Sequence, residues 1–311
     1  MRTVVFGYHN VGYVCLRQLL QQGHEVAALV THSDDPEENV WFKSVAELAH
    51  EHAVPVFTPD NPNVPEFVNA IGELHPDIVF SFYYRHMLKR PLLELAPLGA
   101  LNMHGSYLPK YRGRCPVNWV LVNGEASTGV TLHYMVEKPD AGDIVAQRKV
   151  PIAFDDTAPS LYAKMTQAAE TLFTETLPIL AAGTAPRIPQ DHSQATYYGG
   201  RRPADGCFSW DDSAVNIYNL VRAVTHPYPG AFADFGTGRL FVWWCEPQDG
   251  PPDAGGKPGT VTAVTSSGPL VATADGQLLL LSLQVDDGPI LDGREFAAAY
   301  ALCPGDSLLS V

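Results

Sequence analysis

The sequence predicts an α/β protein in which a doubly wound, mostly parallel sheet is followed by a small β-rich domain. Three observations lead there. From Arg2 to Phe82, short apolar runs alternate with segments of helical spacing, the pattern of parallel strands with helices on both faces of a sheet. From about Ala204 the texture changes to brief β-rich runs between Gly and Pro turns, as in a small barrel or sandwich. The 311 residues suffice for two domains of ~150 each, and the change of texture puts the boundary between a first domain, 1–203, and a second, 204–311.

The elements follow in order. Arg2 to Tyr8 is an apolar run that reads as a buried strand, and Val11 to Gln22 carries Val11, Val14, Cys15, Leu19 and Leu20 at near-helical spacing. Glu25 to Val30 is a second strand, Phe42 to His52 and Val64 to Leu74 are helices, and Asp77 to Phe82 returns as a strand. Beyond Gly99, Ala100 to Met103 is a strand, Pro116 to Val122 a helix, and Gly129 to Met135 and Ile144 to Val150 two more strands. Pro159 to Ala182 is the longest helical pattern, closed by Gly183 as a C-cap, and Pro186 to Pro203 has no regular period. The second domain opens with a helix, Ser213 to Val224. Strands follow at Ala231 to Phe235, Leu240 to Trp244, Gly259 to Val264, Leu270 to Ala272 and Leu278 to Val285, with a Gly/Pro-rich loop over Pro247 to Pro258.

Charge and cysteine usage remove several function classes. Residues 204–311 hold four basic residues (Arg222, Arg239, Lys257, Arg294) against thirteen acidic ones, a net −9, which leaves −5 of the total −14 to the first domain. A broad basic face for nucleic acid is therefore not expected. The five cysteines form no C-x-x-C pair, so neither a zinc site nor a disulfide framework is indicated, and no metal is expected. No apolar stretch approaches the ~20 residues that span a bilayer, and no targeting signal precedes the first strand. The expected setting is cytoplasmic, without a membrane partner.

Three segments could carry chemistry. Gly7-Tyr8-His9-Asn10-Val11-Gly12 sits at the first strand-to-helix turn, but its G-x-x-x-x-G spacing departs from the dinucleotide fingerprint, so tight helix packing is the simpler reading. Asn102 and His104, two apart on a strand, project from one face into the loop Gly105 to Arg114. An amide there can donate to a developing oxyanion and an imidazole can exchange a proton, although a lone Asn-x-His is more often structural. The third segment is Glu137-Lys138-Pro139-Asp140-Ala141-Gly142-Asp143. Asp140 in this turn could stabilise an imidazolium at His104, or could serve the turn alone.

Together these segments resemble the folate-dependent formyltransferase family. Asn102, His104 and Asp140 match its catalytic asparagine, histidine and aspartate. Ser106-Tyr107-Leu108-Pro109-Lys110-Tyr111-Arg112-Gly113 is similar to its Ser-Leu-Leu-Pro-x-Tyr-Arg-Gly signature, with Tyr107 in place of the commoner Leu. Within the family the resemblance is to the formyltransferases that act on UDP-4-amino-4-deoxy-L-arabinose in lipid A modification and polymyxin resistance, which form half of a bifunctional enzyme. It is carried by Ser81 to Leu88, Arg114 to Gly124, Tyr197 to Arg202, Arg222 to Val224 and Pro227 to Phe232.

The resemblance implies a Rossmann-like catalytic domain, an open-barrel, OB-like second domain, and 10-formyltetrahydrofolate as the formyl donor. His86, Met87 and Leu88 would face the pterin, Val136, Glu137, Lys138, Pro139 and Asp140 would form another wall, and Arg114 would bind the folate. For the diphosphate of a nucleotide-sugar acceptor, local charge points to Arg112, Arg201 and Arg202, since Arg matches phosphate oxygens with a fork of N–H donors. The rivals are a methionyl-tRNA formyltransferase, which would need a basic second domain, and a formyltransferase for a dTDP-linked amino sugar. Oligomeric state is not legible.

Overall fold

The computed structural model describes residues 1–34, 39–248 and 257–309. The chain divides into two compact units. The first comprises Met1–Pro116, Ser127–Ile152 and Tyr162–Gly199; the second takes Val117–Ala126, Ala153–Leu161 and the chain from Gly200 onward.

The first unit is built on β1 (Arg2–Gly7), α1 (His9–Gln21), β2 (Glu25–Val30), α2 (Val45–Glu51), β3 (Val56–Phe57), α3 (Pro65–Gly72), β4 (Ile78–Phe82), α4 (Arg90–Leu93), β5 (Ala100–His104) and β6 (Arg112–Gly113). After α5 (Pro116–Val122) come β7 (Ser127–Tyr134), β8 (Ile144–Pro151), α6 (Ala158–Ala181) and β9 (Tyr197–Tyr198). Seven strands form one sheet in the order β3-β2-β1-β4-β5-β7-β8. The first five run parallel, while β7 is antiparallel to both β5 and β8. The short connection between β7 and β8 has room for a hairpin but not for the crossover that parallel pairing requires.

Side chains alternate across the sheet and are buried on both faces, as a sheet between helices demands. Val4, Phe6 and Val79 pack with Val68 and Ile71 of α3 and Leu92 of α4 on one face. On the other, Phe80 and Phe82 meet Phe173 of α6 with ring centroids 5.1 and 5.0 Å apart. Each fully buried ring contributes about 1.5–3 kcal/mol through removal from water. Gly12 lets α1 approach closely: a Cβ there would lie 3.2 Å from the Gly7 backbone and 3.3 Å from the Phe82 carbonyl oxygen. Gly12 of the first turn thus serves packing.

The strands β3 and β9 and the helix α4 escape sequence periodicity because two to four residues are too few to show a period. β9 falls in the aperiodic stretch 186–203 and pairs in parallel with β6, with Arg112 opposite Tyr197 and Gly113 opposite Tyr198.

The second unit contains α7 (Ala214–Val224), β10 (Ala231–Phe235), β11 (Gly238–Gln248), β12 (Val261–Val264), β13 (Pro269–Ala272), β14 (Gln277–Val285), β15 (Leu291–Asp292) and α8 (Gly293–Ala299). Its strands form an antiparallel sheet, β10-β11-β14-β13-β12, with β15 beside β14. Ser213 caps α7 by accepting from the Asn216 N–H, and Asp292 and Glu295 form a capping box on α8. Of the loop expected over Pro247 to Pro258, residues 249–256 lie outside the described residues, while Pro247 and Gln248 close β11. Cys15 and Cys245 are buried, and burial pushes both thiols up, which keeps them un-ionised and inert near neutral pH. Among the described residues no helix is long and apolar enough to cross a membrane.

Candidate active site

The site forms at the carboxyl end of β5, where α/β sheets place their ligands. Period-2 alternation carries Asn102 and His104 to the same side of β5, and β7 runs antiparallel beside it with His133 opposite Asn102. The connection between β7 and β8 then folds back so that Asp140 meets both. Its Oδ1 lies 3.5 Å from His104 Nδ1, 3.5 Å from His133 Nε2 and 3.5 Å from Asn102 Nδ2, while its Oδ2 accepts the Gly113 N–H at 2.8 Å. The predicted trio is therefore gathered around one carboxylate.

Each ring orientation is set by a main-chain acceptor. His104 Nε2 lies 2.8 Å from the Tyr111 carbonyl oxygen, so that nitrogen carries a proton and Nδ1 is left facing Asp140. His133 Nδ1 lies 2.8 Å from the Tyr134 carbonyl oxygen, so that nitrogen carries a proton, and its Nε2 lies 3.2 Å from Asn102 Nδ2. The Asn102 amide is thereby turned with its donor end to His133 and Asp140. His104 is 6% exposed and His133 1% exposed, so these are interior polar groups with assigned bonds.

Burial alone pushes the Asp140 carboxyl up. That effect is outweighed by the charge of His104, by the hydrogen bond and charge of His133 and by the Gly113 N–H, which together hold it well below the usual carboxylate range. Asp140 is a fixed anion at neutral pH, seated with φ 53° in the left-handed region. Gly113 is equally constrained. At φ 99°, a Cβ added to it would run into the Tyr198 carbonyl oxygen. Gly113→Ala is expected to destabilise the protein by roughly 2–4 kcal/mol, combining strain with a backbone collision. A urea midpoint unchanged from wild type would contradict this.

The expected folate-facing residues surround this trio unequally. Leu88 is buried, and Met135, next to Val136, packs against the same apolar cluster, so the segments after β4 and β7 rise from one patch of core. Met87 and Val136 stand exposed at 54% and 45%, apolar side chains that a flat ring could cover. The Met87 carbonyl oxygen accepts from Asn63 Nδ2 at 2.9 Å, and His86 stacks on His32 at 4.9 Å. Glu137, Lys138 and Pro139 are exposed, with the Lys138 ammonium 5.1 Å from the centre of the Tyr197 ring. Arg114 is exposed, and its N–H donates to the Tyr198 carbonyl oxygen at 2.9 Å.

Arg112 departs from expectation. It is fully buried, with Nε and Nη2 donating to Gln190 Oε1 at 3.2 and 2.6 Å, Nη1 donating to the Tyr197 hydroxyl at 2.6 Å, and Nη2 lying 3.0 Å from His192 Nδ1. A guanidinium spent on interior acceptors has no fork to offer a diphosphate. Arg201 and Arg202 belong to the second unit. Arg201 Nη2 donates to the Asp205 carbonyl oxygen at 2.7 Å, and its guanidinium lies 4.6 Å from the centre of the Trp119 ring. The Arg202 side chain is exposed, and its main-chain N–H donates to Asp205 Oδ2 at 2.6 Å.

Two site residues were not found from sequence. His133 sits in an apolar strand where a lone histidine reads as core, and only the β5–β7 register reveals it. Gln190 lies in the aperiodic stretch and carries no local signal. Among the described residues, no group of three or more His, Cys, Asp or Glu side chains could hold a metal ion.

Comparison with known proteins identifies the family. The family model described as formyl transferase matches residues 1–177, and that of the formyl transferase C-terminal domain matches residues 201–301. HypX from Aquifex aeolicus, a multiply substituted variant, superimposes with a TM-score of 0.65 at 18% identity, covering 99% of this chain and 49% of its own. This chain thus spans about half the length of that protein. An N-formyltransferase from Helicobacter canadensis, in complex with folinic acid and dTDP-3-aminofucose, gives a TM-score of 0.70 at 21% identity over 91% of this chain and 99% of its own. A sugar N-formyltransferase candidate from Mycobacterium tuberculosis gives 0.62 at 20% identity over 80% and 99%.

Proposed function

The chain belongs to the formyl transferase family, and from that premise we propose that it moves a formyl group from 10-formyltetrahydrofolate to the 4-amino group of a nucleotide-linked amino sugar, UDP-4-amino-4-deoxy-L-arabinose foremost. The observation that carries this reading is the convergence of Asn102, His104 and Asp140 at the carboxyl end of β5. The folate supplies an activated formyl carbon. Attack by the acceptor amine places negative charge on the formyl oxygen, and the donor for it is the Asn102 N–H that otherwise makes only the long 3.5 Å contact to Asp140 Oδ1. His104 takes a proton from the attacking amine at Nδ1, because its Nε2 is committed to the Tyr111 carbonyl, and gives that proton to the folate N10 as the bond between N10 and the formyl carbon breaks, so that the formamide forms and tetrahydrofolate leaves. Asp140 supports the imidazolium that forms. The exposed Met87 and Val136 give the folate ring an apolar seat, and exposed Arg114 suits its acidic tail.

The acceptor is argued from charge. Four basic residues against thirteen acidic ones beyond residue 203 leave little to grip tRNA phosphates, whereas a diphosphate needs only one or two arginines. Arg201 and Arg202 are assigned to it. Formyl transfer should be measured from 10-formyltetrahydrofolate to UDP-4-amino-4-deoxy-L-arabinose, to dTDP-linked amino sugars and to methionyl-tRNA. The UDP sugar is expected to give the highest kcat/KM, and a preference for methionyl-tRNA would overturn the reading. The dTDP-3-aminofucose bound to the Helicobacter canadensis protein makes a dTDP sugar the second candidate. Arg201→Ala and Arg202→Ala are expected to raise KM for the nucleotide sugar by about tenfold each, the size of a charged hydrogen bond to phosphate. Wild-type KM in both would remove the assignment.

A further inference from the structure

Gln190 is 6% exposed and every polar atom of its amide is engaged. Oε1 accepts two N–H groups from Arg112, at 3.2 and 2.6 Å, while Nε2 donates to the carbonyl oxygens of Asp140 at 2.9 Å and Gly142 at 2.6 Å. Arginine can only donate and a carbonyl can only accept, so the amide has one possible orientation. Arg112 is itself anchored by the Tyr197 hydroxyl and His192, and the next residue, Gly113, donates its N–H to Asp140 Oδ2.

These bonds close a ring. From Asp140 Oδ2 it runs to the Gly113 N–H, back along the main chain to the Arg112 guanidinium, across to Gln190 Oε1, and from Nε2 to the main chain of Asp140. The ring holds one aspartate by side chain and main chain at once. Asp140 needs such a hold, because φ 53° is a conformation that L residues keep only when their surroundings impose it. The turn beyond it is fixed as well, since a Cβ at Gly142 would run into the Tyr134 carbonyl oxygen.

We propose that Gln190 is a positioning residue for the transfer: by bridging buried Arg112 to the Asp140–Gly142 main chain, it keeps the Asp140 carboxylate aimed at His104. The proposal rests on the formyl-transfer reading for its kinetic consequence. Its structural consequence, the fixed placement of Asp140, is independent of substrate. The titratable groups facing Asp140 are His104 from β5 and His133 from β7, with Asn102 and the Gly113 N–H completing its surroundings.

Gln190→Glu is the discriminating variant. It keeps an oxygen for Arg112, so the buried charge stays paired, but it sets a second oxygen against two carbonyls in place of the N–H donors. Gln190→Met, which removes both functions, is the companion. The expected result for Gln190→Glu is a kcat about tenfold lower or more, with KM for donor and acceptor within about threefold of wild type. Without substrate, the carbon-13 signal of the Asp140 carboxyl should stay ionised in the wild-type protein throughout its folded acid range. In the variant its titration should move up into the ordinary carboxyl range. A variant with normal kcat, or one whose Asp140 titration does not move, overturns the proposal. So does a variant that loses thermal stability and shifts kcat and KM together, because that is what a merely structural bond would do. If the wild-type chain transfers no formyl group, the functional reading falls, and the Asp140 titration alone decides whether Gln190 holds that residue.

Discussion

His104→Ala is expected to lower kcat for formyl transfer by about 10²-fold or more, with KM for both substrates changed far less. The imidazole has one nitrogen tied to the Tyr111 carbonyl oxygen and the other facing the Asp140 carboxylate, so its position is set by two protein groups before any substrate arrives. Alanine removes the proton carrier and takes away one of the two imidazoles that face the Asp140 carboxylate. Asn102→Ala is expected to cost on the order of 10²–10³-fold in kcat, the usual loss for one oxyanion donor. The two differ in their pH behaviour. Without His104 the rate loses whatever pH dependence the imidazole imparts, while without Asn102 that dependence persists at a lower rate. Near-normal kcat in either variant would sink the mechanism, and a pH profile unchanged by His104→Ala would move the proton transfer to another group.

Much of this site is visible in the sequence because its first two members lie two residues apart on a strand. Alternation alone puts Asn102 and His104 on one side, and the glycine after them marks a loop. Asp140 could be named but not placed. Its proximity depends on β7 pairing antiparallel to β5 and on the short β7–β8 connection folding back toward that pair, and neither is written in the strand's own composition. His133 illustrates the same limit, since the register that sets it opposite Asn102 is a property of two strands together. The burial of Arg112 escapes the sequence for a different reason. A count of charges assigns every arginine to the surface, and burial of a guanidinium needs acceptors from Gln190 and Tyr197, 78 and 85 residues further along. Those acceptors lie in a stretch with no hydrophobic period, so they announce themselves only once β9 is seen lying along β6.

Asp140→Asn is expected to change both turnover and the acid dependence of stability. In turnover, the neutral amide cannot support the imidazolium that forms on His104, and kcat should fall by about 10²-fold or more. In stability, the sign follows from the direction of the carboxyl's shift. Its folded-state value is held below its ordinary value of 3.8 by His104, His133 and the Gly113 N–H, which outweigh burial. A carboxyl shifted down on folding contributes stability that is present above its unfolded value and is lost as pH falls through its folded value. The wild-type protein should therefore melt above the Asp140→Asn variant at about pH 5, where Asp140 is ionised in both the folded and the unfolded chain. That difference should narrow as pH drops below 3.8, because the unfolded chain then takes up a proton that the folded protein still refuses. All other carboxylates are shared by the two proteins and cancel in the difference, so thermal melts of the pair across the acid range isolate this one group. A gap that stays constant with pH would mean that Asp140 is not held as a buried anion by the two histidines. The catalytic role assigned to it would then lose its physical basis.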